Sequence, residues 1–348
     1  MKIFLDVFIW AFQPGFMRLL LTQSIRHIAL NKFFIFTKLD PEKPNFIMKR
    51  AIILGLIASL SWSTVFVAGR YLCNILGVYP LLVAFFRFFL AGLICVFYII
   101  IKGQARSLSL VLKRPARIGI LALTGITIMG SSVFWALKYS SAIDVSIIMN
   151  SNPIFIIPLS ILIGESLNLR KTTGVIVGLL GCALVINGNL TSFQLTQKEH
   201  LTGNSIALVA ALSWAVYTVL GKSLVREYGG LLVTSLNMLV GSVPILIILI
   251  GLGEFAIPSL NAFLAILYLA IFPTSIGFVF WYKALEELDA SRLGPMQYLV
   301  PMGTALIAFL FLNEKLKFVS IAGMFLIFLG IYLTTISRNT LKSSQNSL

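Results

Sequence analysis

From about residue 50 to residue 338 the chain alternates long apolar stretches with short polar ones. A bilayer core of about 30 Å takes roughly 20 apolar residues per helical crossing. Ten stretches reach or approach that length: 52–72, 80–101, 119–137, 145–164, 172–187, 204–221, 230–252, 261–282, 293–312 and 318–337. Runs such as Ile52 to Leu60 and Ile245 to Gly251 lack the in-and-out alternation of a membrane-barrel strand. A lipid-exposed segment must satisfy its own backbone hydrogen bonds, so helices are the spanning element expected. The pattern predicts an all-α polytopic membrane protein of ten transmembrane helices.

Composition removes the alternative of a soluble fold. Of 348 residues 58% are hydrophobic and 11% charged, with mean hydropathy +0.97, whereas soluble domains run near half apolar and about a quarter charged. The net charge of +15 does not point to nucleic acid, because the basic residues sit mostly between the apolar runs. If the end before the first span is cytoplasmic, fifteen Lys and Arg fall on the cytoplasmic side and five outside. That bias predicts both termini in the cytoplasm and a place in the cell membrane, the inner membrane of a bacterium. The first 47 residues differ: six basic residues interrupt short apolar stretches, and Ile3 to Phe12 has the look of a signal core but contains Asp6. Met48-Lys49-Arg50 leads straight into an apolar run and is a second candidate start.

The chain also repeats itself. Gly55 to Leu72 lies over Ala207 to Leu224, pairing Ser61-Trp62 with Ser213-Trp214 and Gly69-Arg70 with Gly221-Lys222. Further along, Val133-Phe134-Trp135 pairs with Val279-Phe280-Trp281, Pro153 with Pro301, Glu165 with Glu314, and Gly174 and Gly181 with Gly323 and Gly330. Five spans per copy is an odd number, so the second copy enters the membrane in the opposite sense. Secondary transporters are built this way, with a solute site between the halves near the midplane. The organisation expected is a basic extension over 1–47, repeats over 48–188 and 204–338, an external linker over 189–203 and a cytoplasmic tail over 339–348.

The Ser-Trp pairs, the run from Arg87 to Gly92, and the prolines followed twelve or thirteen residues later by glutamate (Pro153 to Glu165, Pro301 to Glu314) resemble the EamA-type ten-helix branch of the drug/metabolite transporter superfamily. The resemblance covers residues 48 to about 338. It implies cytoplasmic termini, a central cavity lined by both halves, and export of a small metabolite, amino acid or toxic compound. An importer is the alternative, and a membrane scaffold or enzyme a more distant one.

Several residues are candidates for the transport site. Arg87 is the eighth residue of the second span, where a guanidinium must face the bundle interior; it is either a carboxylate contact or a packing arginine bonded to backbone, and Asn237 is its repeat counterpart. Asn150, Asn152, Gln297 and Tyr298 lie on the fourth and ninth spans beside Pro153 and Pro301. Each proline frees the carbonyl four residues earlier, Met149 or Gln297, which makes both hinge candidates. Trp62 and Trp214 sit midway along their spans and, with Tyr217, are candidate cavity walls; Trp135 and Trp281, nearer span ends, fit an interfacial belt as well. Glu165 and Glu314 end spans at opposite faces, as helix terminators, partners of Arg170 or Lys315, or gate latches. Asp144 reads as loop-proximal. Gly174, Gly178, Gly181, Gly323 and Gly330 mark helix-packing faces or a homodimer surface. His27 and His200 lie outside the spans in no acid-rich motif, and Cys73, Cys95 and Cys182 are far apart. The sequence therefore calls for no enzyme, cofactor, metal or nucleic acid; the partners expected are lipid and a small solute.

Overall fold

A computed structural model of the chain describes residues 44–104, 108, 113–160, 169–187, 198–287, 296–297 and 299–335. Helix α1 (Pro44–Arg70) continues into a π-helical turn, Tyr71–Ile75. Helices α2 (Pro80–Ile101) and α3 (Pro115–Tyr139) both start on proline, whose missing N–H costs nothing at that position. The first half ends with α4 (Ala142–Met149), α5 (Asn152–Ser160) and α6 (Leu169–Asn187). The second half comprises α7 (Lys198–Tyr228), α8 (Gly230–Gly251), α9 (Leu260–Leu269, π-helical Ala270–Ile276, then Gly277–Glu287), α10 (Leu299–Leu312) and α11 (Phe318–Thr335).

Six helices are long and apolar enough to cross a bilayer, and four shorter apolar ones, Ala142–Ile156, Thr172–Val185, Leu299–Leu312 and Phe318–Leu333, stand at the other expected spans. Two boundaries differ from expectation: α1 already begins at Pro44, inside the supposed extension, and α7 at Lys198, inside the supposed linker. The surface is apolar, with Phe97, Ile101, Ile250, Leu306 and Phe325 exposing 62–67% of their area, while Ser63, Ser146, Thr274 and Thr304 are buried. Hydrocarbon outside and hydroxyls inside is the arrangement a bilayer selects, because buried hydroxyls can bond to protein and lipid offers them nothing.

Packing follows the repeat. Helix α1 packs against α9 and α10, and its counterpart α7 packs against α3, α4 and α5; α2 pairs with α8, and α6 with α11. The last pair explains the glycines. A Cβ on Gly181 would stand 2.7 Å from the Gly323 carbonyl oxygen, and one on Gly330 would stand 2.7 Å from the Gly178 nitrogen. The small-residue faces of α6 and α11 therefore meet each other, as close backbone approach in lipid requires, which is the helix-packing role expected of them.

One face is tied shut across the halves. Arg70 Nη1 donates to the Leu137 and Lys138 carbonyl oxygens at 2.8 and 2.9 Å, and its Nε lies 3.9 Å from Glu314 Oε1. The Glu314 carboxylate accepts the N–H groups of Ala142 (3.0 Å) and Ile143 (3.3 Å) at the start of α4, where a helix N-terminus favours negative charge. The partner is thus Arg70 and not Lys315, which is exposed. Asp144 lies in the first turn of α4, next to the connection as expected, but is 3% exposed, and its Oδ1 accepts the Ser320 hydroxyl of α11 at 2.6 Å. Burial pushes the Glu314 carboxyl above the ordinary carboxylate range, although both N–H groups and Arg70 pull the other way and Asp144 adds to the push.

Two expectations follow. Gly330→Val should destabilise the protein by about 1–3 kcal/mol through overpacking, whereas Gly119→Ala, with nothing within 4 Å of its Cβ, should be neutral or gain up to about 1 kcal/mol of helix propensity; melting followed by fluorescence-detected size exclusion separates them. Because the folded state holds the Glu314 proton more tightly than the unfolded chain, the stability from that protonation is complete below the unfolded value of 4.5 and lost as pH rises through the raised folded one. The melting temperature of the wild type relative to Glu314→Gln should therefore fall as pH rises from 4.5, and a flat or rising difference would contradict the assignment.

Candidate functional site

The site begins with a proline in α9. Pro273 has no N–H for the Leu269 carbonyl oxygen, and the Thr274 hydroxyl takes that oxygen instead at 2.7 Å, inside the π-helical stretch. The Pro273 carbonyl, turned out of the regular ladder, accepts Trp62 Nε1 of α1 at 2.8 Å. Trp62 packs edge-on against Phe278 with ring centres 5.7 Å apart and leans on Trp281 at 5.0 Å. A Cβ at residue 277 would sit 3.0 Å from Trp62 Nε1, so glycine lets α1 and α9 approach here. The other half repeats the device. Helix α3 has its own π-helical stretch, Leu123–Ile128; Ser213 of α7 donates to the Thr124 carbonyl at 2.7 Å, and Thr127 to the Gly241 carbonyl at 2.7 Å.

Thr274 also holds Arg87 of α2. Arg87 Nε donates to Thr274 Oγ1 at 2.9 Å, and the guanidinium lies 4.8 Å from the Phe88 ring centre and 5.6 Å from that of Phe134. The residue is 7% exposed. Among the described residues its two Nη atoms have no hydrogen-bond partner, and no carboxylate lies in ion-pair range.

The expected fourth span is broken. Asn150 and Ser151 form a turn between α4 and α5, with the Asn150 Nδ2 bonded to the Ser146 carbonyl at 2.8 Å. Pro153 frees the Met149 carbonyl as expected, and Asn152 Nδ2 satisfies it at 3.0 Å. Pro153 and Pro301 both lie in the first turn of a helix, α5 and α10, where no intrahelical N–H bond is lost. Pro153 thus stands just after the break between α4 and α5.

These elements converge on one cavity of about 650 Å³ of empty space, its open mouth included. Trp62, Arg87, Asn150, Asn152, Trp214 and Gln297 line it, with apolar walls from Val65, Phe66, Phe88, Met129, Val133, Met149, Phe278 and Val300. Both halves contribute. Tyr217 is not on its wall: it is buried between α3, α7 and α8 with its hydroxyl 3.4 Å from Thr234, whose other neighbour is the Tyr282 hydroxyl at 2.7 Å. Asn237 is fully buried on α8, away from the cavity, and its amide completes no hydrogen bond. Glu314 belongs to the tied face. Glu165 and Tyr298 lie outside the described residues. Trp281 backs Trp62, and Trp135 packs between Tyr79 and Tyr139. Sequence reasoning missed Thr274, although a threonine recurs at the matching place in each repeat, Thr127 and Thr274.

The pattern of the EamA-like transporter family matches this chain twice, over residues 49–187 and 201–336. An uncharacterised transporter of Archaeoglobus fulgidus is 33% identical over 261 residues, which is 74% of this chain and 88% of that protein. A WAT1-related chloroplastic protein of Arabidopsis thaliana is 27% identical over 78% of this chain and 66% of its own length. A solved crystal structure at 23% identity covers 82% of this chain and 97% of its own with a TM-score of 0.59, a likeness of fold. The chain belongs to the EamA-like transporter family, as a multi-pass membrane transporter of the drug/metabolite type and not an enzyme.

Proposed function

We propose that the protein exports a small organic solute, a metabolite, amino acid or toxic compound, by alternating access, and that the solute occupies the cavity lined by Trp62, Arg87, Asn150, Asn152, Trp214 and Gln297. The observation that carries this reading is that one cavity draws its polar wall from both halves. A site between halves is where rocking of one against the other changes access without moving the solute. The packing supports it: α1 meets α9 and α10 as α7 meets α3, α4 and α5, so contacts given up on one seam have counterparts on the other. The Arg70–Glu314 contacts join the halves at one face, as a state closed at that face requires.

Orientation rests on charge. Fifteen basic residues against five support cytoplasmic termini, which puts Glu314 outside and the protein in the cell membrane, of the bacterial inner type. Export is the direction that the family resemblance implies.

The test is a growth and efflux screen in bacteria overproducing the chain, against labelled amino acids, their analogues and cationic toxicants. Resistance to one compound class with lowered intracellular label is expected, and Trp214→Ala at equal expression should slow efflux by about tenfold or more, a barrier change of ~1.4 kcal/mol. Net uptake of the same compounds by the cells would overturn export. Unchanged efflux in Trp214→Ala would remove the cavity from the pathway.

A further inference from the structure

We infer that the cavity recognises a carboxylate, and that Arg87 is the residue that takes it; the inference rests on the cavity being the solute's site. Arg87 stands seven residues inside α2 from Pro80, about 10 Å along the axis, well within the hydrocarbon. A guanidinium keeps its proton, and a charge at such depth is tolerated in a bundle interior where something compensates it. Here the described residues supply little: one neutral hydroxyl, Thr274, and the faces of Phe88 and Phe134. A packing arginine would spend its donors on backbone carbonyls, and among the described residues Arg87 donates to none.

What remains is directional. The Thr274 hydroxyl gives its hydrogen to the Leu269 carbonyl, so its oxygen is committed as an acceptor for Arg87 Nε. That bond orients the guanidinium plane and, among the described residues, leaves the Nη donors of a cavity-lining residue uncommitted. Paired Nη donors match the two oxygens of a carboxylate. Among the described residues the cavity wall holds this single cation and no acid, which fits one negative charge and disfavours an organic cation. The rings of Trp62, Trp214, Phe66 and Phe88 would enclose an apolar body attached to it. The ligand class is thus a small monocarboxylate, or a zwitterion presenting its carboxylate to Arg87.

The purified full-length protein in nanodiscs, titrated with phenylacetate and hexanoate against phenylacetamide, hexanamide and phenethylamine, tests this through quenching of tryptophan emission. Each acid should half-saturate at a concentration about tenfold or more below that of its amide, as a charge-assisted pair predicts. The preference should vanish in Arg87→Gln, survive in part in Arg87→Lys, which keeps charge without the fork, and weaken in Thr274→Val through the acid alone, since Thr274 positions Arg87. An amide or the amine binding as tightly as the acid in the wild type, no saturable quench by either acid, or an intact preference in folded Arg87→Gln would overturn the inference. The wild-type comparison and Arg87→Lys keep it falsifiable if Arg87→Gln does not fold. Counterflow in proteoliposomes with the same compounds separates the two readings. Movement of phenethylamine but not phenylacetate sinks the carboxylate site and leaves the transporter standing, whereas tight binding of phenylacetate with no movement of any compound does the reverse.

Discussion

A carbonyl freed by proline inside a bilayer has no water to turn to, and much of the site's architecture follows from how this chain meets that constraint. At Pro273 the Leu269 oxygen is taken by the Thr274 hydroxyl, and the ladder widens into a π-helical stretch. At Pro153 the Met149 oxygen is taken by the Asn152 side chain, and the helix breaks into two. Both repairs place polar side chains where none would otherwise be stable. Trp62 is anchored by the Pro273 carbonyl and Arg87 by the Thr274 hydroxyl. Of the cavity's polar wall, Asn152 itself mends the backbone, and Trp62 and Arg87 are held by the stretch around Pro273.

The same economy appears at the seams. With hydrocarbon outside, burial of apolar surface gives little reason for one helix to prefer another, and close fit together with hydrogen bonds must decide. Glycines at α6 and α11 bring two backbones into contact. Hydroxyls fasten the other seams: Ser213 to the Thr124 carbonyl, Thr127 to the Gly241 carbonyl, Thr304 to the Ser63 carbonyl at 3.0 Å. Each is a short bond between a small side chain of one helix and a main-chain oxygen of another. The Arg70–Glu314 contacts at one face differ in kind, because a carboxylate there bridges a helix start and a cation across the halves.

The sequence made much of this legible, for identifiable reasons. Span positions follow from length and apolarity, which the bilayer enforces. Six cavity residues, Trp62, Arg87, Asn150, Asn152, Trp214 and Gln297, stood out because polar or bulky amphipathic residues at mid-span need a protein-facing home. What could not be read was partner choice. Glu314 sits beside Lys315 in the chain yet bonds to the start of α4, a contact set by helix packing. Asp144 is loop-proximal as its place after a short connection suggests, but its burial and its bond to Ser320 of a distant helix are set by packing. Tyr217 shares a helix face with Trp214, their ring centres 5.1 Å apart, yet its hydroxyl reaches past it into a separate cluster with Thr234 and Tyr282.

The repeat also explains why the fold and its site obey different symmetries. The backbone devices are duplicated: a Ser-Trp pair on α1 and α7, π-helical stretches in α3 and α9, a threonine in each. The polar lining is not. Thr274 holds a guanidinium, while its counterpart Thr127 donates to a carbonyl of α8; Arg87 faces the cavity, while its counterpart Asn237 is enclosed without a partner. Matched halves are what the proposed alternation between faces needs. A site that held two copies of Arg87, however, would carry a second uncompensated cation in the hydrocarbon. Duplication of the frame with divergence of the lining satisfies both demands in one chain.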